Sequence, residues 1–318
     1  MWKVIKYVLL ALAVVAVIAL AWGLMEPYTI SEERFEVALD HLPDVWRERE
    51  IAIISDCQVG MWLDNTWTVR RIVNRLVERE PSLVLILGDF IYKGGDDATG
   101  RIEKAARLVA PLGEADIPVY AVLGNHDYSV ASSRAPDIDE ERAEKLAAAL
   151  EEAGVSVIRN DSVGVWPFGM EEGEGGEEDV LYVVGIAPHM PEKDRPVRAL
   201  EDVPDEAARL VMMHNPDTFA EVPAEAAPLA VAGHTHGGQI RIPFTPQWTY
   251  LTYLAEDNIH ADGWIEDYGQ EGNQLYVNRG VGFSKLPLRI NSPPEITIFT
   301  LVEAETEATV GVQGTYGP

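Results

Sequence analysis

Residues 119–127 read VYAVLGNHD, a short apolar run that ends abruptly in small and polar residues. The same change occurs twice earlier, at residues 51–56 (IAIISD) and 83–89 (LVLILGD). Between these runs, residues 66–78 and 101–112 have the apolar spacing of amphipathic helices. This βαβαβ order predicts a largely buried, mostly parallel sheet, whose ligand site lies at the carboxyl ends of the strands.

The second half of the chain is richer in predicted strands. After an Ala-rich helix over residues 140–153, short apolar runs predict strands at residues 155–158, 163–166, 181–185, 210–213, 229–232, 275–278 and 295–301. Residues 169–179 read GMEEGEGGEED. We interpret them as a flexible, solvated hairpin tip, with a cation-binding loop as the alternative.

The chain begins with an apolar segment. Residues 7–25 (YVLLALAVVAVIALAWGLM) carry no charge and nearly span a hydrocarbon layer of ~30 Å. Lys3 and Lys6 precede the segment and acidic residues follow it, so the positive-inside rule places the N-terminus in the cytoplasm. We therefore predict a single-pass membrane protein with its catalytic domain on the extracytoplasmic side; a cleaved signal peptide is the alternative. The predicted layout is an anchor over residues 1–27, one domain over 28–302 and a tail over 303–318.

Composition restricts the function classes. With 52 acidic and 25 basic residues the net charge is −27, which argues against nucleic-acid binding because that requires a basic surface. Cys57 is the single cysteine, so an intrachain disulfide and a cysteine-based zinc cluster are both excluded.

Polar motifs follow the predicted strands and hold most of the unusual side chains. They are the residues Asp56, Gln58, Asp89, Asn125, His126, Asp127, His214, His234 and His236. Oxygen and imidazole ligands without thiolates suit Mn, Fe or Zn. Two such ions ~3.5–4 Å apart can clamp a phosphoryl group, and one carboxylate must then bridge them. Asp89 is the best candidate for that bridge.

With these motifs in this order, the chain resembles the calcineurin-like metallophosphoesterases, in particular their membrane-anchored YkuE/YaeI-like branch. The resemblance covers residues 30–302 and is most specific in GNHD, in residues 232–244 (AGHTHGGQIRIPF) and in residues 276–297 (YVNRGVGFSKLPLRINSPPEIT). It implies an α/β fold, a four-layer α-β-β-α sandwich of two mixed sheets, here preceded by one N-terminal transmembrane helix.

The resemblance also implies roles for individual residues. His126 would face the phosphate and protonate the leaving oxygen, and Asp127 would fix the local geometry. One metal ion would be held by Asp56, Asp89 and His236, with Gln58 beside them. The second would be held by Asp89, Asn125, His214 and His234.

One residue departs from the family pattern. The family has Asp-x-His at the first motif, whereas this chain has Gln58 in place of that histidine. Its amide oxygen either coordinates a metal ion as a poorer ligand than imidazole or hydrogen-bonds a bound water. We therefore expect a weaker or differently selective first metal site.

The predicted function is two-metal hydrolysis of a phosphomonoester or phosphodiester by a metal-bridging hydroxide, with His126 assisting the leaving group. The position beside a bilayer favours a lipid or envelope-derived substrate. The first alternative is a metal-binding scaffold protein that is catalytically impaired by Gln58. The second is a nuclease of the same chemistry, which the net charge opposes.

Several other residues invite a choice between packing and function. Cys57 is expected to pack in the interior because strand side chains alternate. Arg279 and Arg289 either bind phosphate or pair with carboxylates, and we favour pairing. His189 matches no motif but could reach the substrate side. An aromatic cluster either packs internally or contacts lipid; it comprises Trp248, Tyr250, Leu251, Tyr253 and Leu254.

Overall fold

The fold is taken from a computed structural model of the chain. It describes residues 1–304 except 62, 64, 93–97, 131–137, 171–174, 244–248, 250–259 and 267. The five residues of the aromatic cluster lie outside this described part. So do most of the predicted tail and the middle of the Gly/Glu loop.

The first sheet contains six strands in the spatial order β1-β12-β2-β3-β4-β5. All neighbours are parallel except β12 and β2, which are antiparallel. The strands are β1 (Ser31–Leu39), β2 (Glu50–Ile54), β3 (Leu83–Ile86), β4 (Val119–Ala121), β5 (Ser156–Val157) and β12 (Glu295–Glu303).

The second sheet also contains six strands, in the order β10-β11-β9-β8-β7-β6. Its four central strands are parallel and both edge strands are antiparallel to their neighbours. The strands are β6 (Asp161–Val165), β7 (Leu181–Gly185), β8 (Arg209–Met212), β9 (Ala230–Ala232), β10 (Gly263–Ile265) and β11 (Leu275–Val277). Both sheets are mixed, as predicted.

Side-chain alternation along the strands creates two cores. In β2, Ala52 and Ile54 face a core shared with the helices, whereas Ile51 and Ile53 face the second sheet. The helical layer contains α2 (Thr66–Arg79), α3 (Ala98–Glu114) and α4 (Glu140–Glu152). A third apolar cluster lies on the far face of the second sheet, beside the short α5 (Pro196–Ala199).

Strand β1 is the main element that the sequence pattern did not predict. It reads SEERFEVAL, and its first six residues alternate between half-buried and exposed positions. The strand lies at the sheet edge and pairs with β12 at the other end of the chain. Its stability therefore comes from a distant partner rather than from a local apolar run.

The N-terminal helix α1 (Trp2–Met25) is long and apolar enough to cross a membrane, a test that a signal sequence also passes. It is exposed along almost its whole length, and Gly23 is its only buried residue. A helix that is apolar on every side and contacts the rest of the protein only at its C-terminal end is typical of a segment surrounded by lipid.

Candidate metal centre

The predicted site residues lie where strands from both sheets end. Asp56 and Gln58 follow β2, Asp89 follows β3, and Asn125 follows β4. From the second sheet, a histidine follows β8 and two follow β9; these are His214, His234 and His236. The carboxyl ends of parallel strands meet at one edge of a sheet, so the two sheets bring these side chains together.

The backbone at this site is unusual. Five of the candidate ligands have positive φ angles, namely Asp56 (55°), Gln58 (49°), Asp89 (53°), His234 (73°) and His236 (51°). A residue with a side chain seldom adopts this conformation, and such residues concentrate at functional sites. Each turns the chain sharply at the end of its strand, so that its side chain points towards the others.

One half of the centre is formed by Asn125, His214 and His234 around Asp89. His214 Nε2 lies 3.4 Å from Asp89 Oδ2, 3.1 Å from Asn125 Oδ1 and 3.2 Å from His234 Nδ1. The other ring nitrogen, Nδ1, lies 2.7 Å from the Leu87 carbonyl and donates to it, which directs Nε2 towards this cluster.

The other half is formed by Asp56, Gln58 and His236. His236 Nε2 lies 3.5 Å from Asp56 Oδ1. Asp56 Oδ2 accepts hydrogen bonds from Ser55 Oγ (2.6 Å) and from the His234 backbone N–H (2.9 Å). Gln58 donates through Nε2 to Asp89 Oδ2 at 2.7 Å, and this contact joins the two halves.

These residues fit a pair of metal ions. One ligand atom from each of Asp89, His214 and His234 lies within 4.8 Å of the others. Ligands bound to one ion at ~2.1 Å are separated by roughly 3.0 to 3.4 Å in octahedral or tetrahedral geometry, close to the separations given above. In addition, Asp56 Oδ1 and Gln58 Oε1 are buried and have no hydrogen-bond partner among the described residues. A cation would satisfy both oxygens.

Burial and mutual charge shift the pKa values of these groups. Burial raises the pKa of Asp56 to about 6, and the charge of Asp89 acts in the same direction. Burial would also raise the pKa of Asp89, but the charges of His214 and His126 hold it well below its usual range. Burial would lower the pKa of His214, but Asp89 outweighs this and raises it to about 9. Burial and the charge of His214 lower the pKa of His234 to about 3. His214 Nε2 thus faces Asp89 at a position where a cation would fit.

His126 and Asp127 stand at the first turn after β4. The His126 ring stacks on Tyr92 with centroids 5.3 Å apart, and its Nε2 lies 4.0 Å from Asp89 Oδ2. Its backbone N–H donates to Asp89 Oδ1 at 2.8 Å. Asp127 accepts hydrogen bonds from the backbone N–H groups of Gly124 (2.8 Å) and Ile91 (3.1 Å). Asp127 therefore braces the turn that presents His126.

A cavity of about 160 Å³ opens above the centre. Its lining includes Asp89, His126 and His236 as well as Ser284 and Lys285, which the sequence motifs had not singled out. Ser55 was also missed, although its place directly before Asp56 was a usable signal. For Lys285 the only signal was its place in the segment 276–297, which carries the family resemblance.

The remaining sequence predictions have mixed outcomes. Cys57 packs in the helix-facing core, and burial raises its pKa to about 12, so the packing prediction is confirmed. Arg279 pairs with Glu33, Asp262 and Glu295, also as predicted.

Carboxylate pairing was the wrong prediction for Arg289, which is fully buried. In the described part of the chain its guanidinium donates to backbone carbonyls, including those of Gly282 (2.7 Å), Arg279 (2.8 Å) and Ser292 (2.9 Å). It braces the loops behind His236.

His189 lies outside the centre. Its Nδ1 is 2.8 Å from Asp194 Oδ2, which also accepts from Thr218 Oγ1 at 3.0 Å. Burial would lower the pKa of His189, but the hydrogen bond and charge of Asp194 raise it instead. Met190, the next residue, lines the cavity.

Comparison with known proteins identifies the family of this chain. The family model "Calcineurin-like phosphoesterase" matches residues 49–238. Phosphodiesterase YaeI of Escherichia coli is 29% identical over 231 residues, which cover 71% of this chain and 72% of that protein. UDP-2,3-diacylglucosamine pyrophosphatase LpxG of Chlamydia muridarum is 24% identical and covers 90% of this chain and 94% of its own length. A metallophosphoesterase of Bacillus subtilis, YkuE, is 25% identical over 87% of each chain. The chain therefore belongs to the calcineurin-like phosphoesterase family and is a phosphoester hydrolase.

Proposed function

We propose that this protein hydrolyses a phosphodiester or phosphomonoester with two metal ions. Asp56, Asp89 and His236 would hold the first ion, with the Gln58 amide oxygen completing the position. The second would be held by Asp89, Asn125, His214 and His234. The proposal rests chiefly on the position of Asp89, which contacts the first set through Gln58 and the second through His214.

The ions, which would be Mn, Fe or Zn, would supply charge neutralisation for the phosphoryl oxygens and a water of lowered pKa. The chain supplies the rest. His126 lines the cavity, and its stacking on Tyr92 holds the ring in place to protonate the leaving oxygen. Asp127 acts through the backbone of that turn and is a positioning residue.

The alternative of a catalytically impaired scaffold protein is not favoured. Gln58 lies within hydrogen-bond distance of Asp89 and presents a buried oxygen with no partner among the described residues. An amide oxygen in that position is a suitable ligand for a hard ion such as Mn. The substitution therefore changes the quality of the first position without removing it.

The relatives support a diester or pyrophosphate substrate, since they include a phosphodiesterase and a pyrophosphatase named for a lipid-linked nucleotide. We place the catalytic domain on the extracytoplasmic side of a membrane, anchored by α1, because Lys3 and Lys6 precede the apolar segment. A polynucleotide substrate is opposed by the net charge of −27.

The test is hydrolysis of bis(p-nitrophenyl) phosphate and p-nitrophenyl phosphate by the full chain in detergent, with Mn, Fe or Zn added after chelation. We expect metal-dependent turnover that falls about 10²- to 10⁴-fold in His126→Ala. The matched control is His41→Ala, a change at an exposed histidine in the turn after β1. Equal turnover in His126→Ala and the control would refute the assigned role. No turnover with any metal, in folded protein, would refute the proposed function.

A further inference from the structure

The C-terminal end of α1 is packed into the catalytic domain. The Gly23 carbonyl accepts a hydrogen bond from the Arg289 backbone N–H at 2.9 Å. A Cβ at Gly23 would lie 3.1 Å from Ile290 Cγ1 and 3.4 Å from Leu288 Cβ, so glycine permits a close approach here. One turn later the buried Glu26 carboxylate accepts from the backbone N–H of Ser292.

The residues after α1 are held equally firmly on a second side. Pro27 and Tyr28 offer their carbonyls to Thr68 Oγ1 and Arg71 Nη1, both at 2.9 Å. The Tyr28 ring packs edge-on against Trp67, with centroids 5.9 Å apart. Strand β1 begins at Ser31, so no flexible linker separates the helix from the sheet. The direction of α1 therefore sets the orientation of the whole domain.

The segment that grips α1 also lines the cavity. Ser284 and Lys285 lie at the cavity, and Leu288 contacts the end of the helix. Three residues of chain span at most about 10 Å. Gln239 holds this segment in place, because its side chain accepts from the Ser284 N–H and donates to the Leu286 carbonyl, both at 2.8 Å.

Large apolar side chains are exposed on this side of the domain. In the part of the chain that the structure describes, the large exposed hydrophobic side chains outside α1 are Trp67, Ile138, Val197, Ile242 and Leu286. Three of them belong to segments that contact the helix end or the loop that grips it. Trp67 packs on Tyr28, Leu286 follows Lys285, and Ile242 follows Arg241, whose N–H donates to the Ile290 carbonyl. We call Trp67, Ile242 and Leu286 the rim.

The position of the rim relative to the lipid bilayer follows from the position of α1 in that bilayer. The headgroup layer on each side of a bilayer is roughly 5 to 7 Å thick. If α1 spans the bilayer, its last turn lies at the hydrocarbon boundary, and the rim and Lys285 lie within reach of the headgroups. Aromatic and basic side chains favour that layer. Arg71 stacks on the Trp67 ring at 4.4 Å and places a second cation there.

We propose that the rim lies in the bilayer surface and that the substrate is a phosphoester in the headgroup of a membrane lipid. Lys285 attracts the headgroup phosphate, and the lipid chains stay in the bilayer while the headgroup enters the cavity. This inference rests on the proposed function for its chemistry, but the orientation that it requires is measured independently of activity.

The orientation is tested by depth-dependent quenching. The native Cys57 is buried with a raised pKa, so a cysteine introduced in Leu286→Cys is labelled selectively. The matched control is Glu151→Cys, an exposed position near the end of α4, at the opposite end of the strands from the cavity. The full chain is placed in phosphatidylcholine vesicles that carry nitroxide groups at the lipid headgroup.

We expect quenching of the label at position 286 at least threefold greater than at position 151. Equal quenching at the two positions would overturn the proposal, because the rim would then lie away from the bilayer. Quenching between labels at position 286 of two chains, with no lipid quenching, would also overturn it and assign the rim to a second copy of the chain.

The substrate class is tested with two esters that carry the same reacting group. One is methyl p-nitrophenyl phosphate in solution, and the other is hexadecyl p-nitrophenyl phosphate in the same vesicles. The Trp67→Glu/Leu286→Glu variant changes the rim, while Ile138→Glu/Val197→Glu adds equal charge elsewhere; none of these side chains lines the cavity. We expect the rim variant to lose at least fivefold on the anchored ester and nothing on the soluble one.

An equal loss in both variants, or an anchored ester that the unchanged protein hydrolyses no better than the soluble one, would overturn the lipid inference. In either case turnover of the soluble ester would leave the proposed function intact. Failure to hydrolyse either ester would refute the proposed function, while the quenching result would still decide the orientation.

Discussion

The two halves of the centre contain the same kinds of candidate ligand, but they differ in the number of histidines and in how closely the ligand atoms approach one another. In the half around His214, two histidines, one asparagine and Asp89 are separated by 3.1 to 3.4 Å. In the half around Asp56, one histidine stands 3.5 Å from the carboxylate, and Gln58 stands where the family resemblance implies a second imidazole. In the proposed centre both halves share Asp89, whose Oδ2 lies 2.7 Å from Gln58 Nε2 and 3.4 Å from His214 Nε2.

On the proposed assignment, Gln58 would weaken the first metal position without removing it. Gln58 keeps the positive φ of 49° and the burial that a ligand at this place requires. Its side-chain amide has one oxygen available as a ligand, while its N–H group donates a hydrogen bond to Asp89. In the proposed centre the backbone geometry would therefore be preserved while the strength of the ligand at position 58 would be reduced.

Changing the shared residue is expected to give the largest effect, because it damages both halves. In Asp89→Asn the bridge loses its charge, and we expect turnover to fall by about 10³-fold or more. Metal content, measured by mass spectrometry after desalting, should fall to one ion per chain or fewer. Asp194→Asn, which alters another buried carboxylate, should keep both values. Two retained ions in Asp89→Asn would contradict the bridging role.

An intermediate effect is expected from making the halves alike. Gln58→His restores an imidazole, and histidine tolerates the left-handed backbone at this position. We expect the weaker of two metal dissociation constants to tighten by about tenfold, and Gln58→Ala to weaken it by a similar factor. Titration of the chelated protein with Mn, followed by calorimetry, measures both. Unchanged binding in both variants would show that residue 58 is not a metal ligand.

The smallest effect is expected at His189, a histidine outside both halves that provides the baseline for the comparison. Asp194 raises its folded-state pKa, so the pairing stabilises the fold below the unfolded pKa of about 6.5 and fades as pH rises through the folded value. We expect His189→Gln to lower the free energy of unfolding by about 0.5 kcal/mol at pH 5.5, because the half-exposed ring is screened by solvent. The loss should shrink as pH rises and the imidazole loses its proton. Urea unfolding of the chelated protein measures it, and a loss that grows with pH would contradict the assignment.

Much of the site could be predicted from sequence because each candidate ligand lies just after a strand in the chain. Each strand can be predicted from its run of apolar residues. The polar residue at its end is adjacent in sequence, so it can be identified without knowledge of distant parts of the chain. Parallel strands end at a common edge, so their terminal residues must meet. The residues that support the ligands were harder to find. Arg289 and Gln239 act through carbonyls and N–H groups of distant loops, and no sequence pattern marks such a partner.

The sequence by itself determined the family, the two-sheet architecture, the residues at the strand ends and the apolar N-terminal segment. Periodicity, charge and motif order are patterns along the sequence, so they can be recognised without knowledge of the fold. Only the tertiary structure decided that β1 pairs with β12, that Gly23 approaches Ile290 closely, and that the segment holding α1 also lines the cavity. Those facts depend on contacts between residues far apart in the chain, where packing rather than local preference selects the partner.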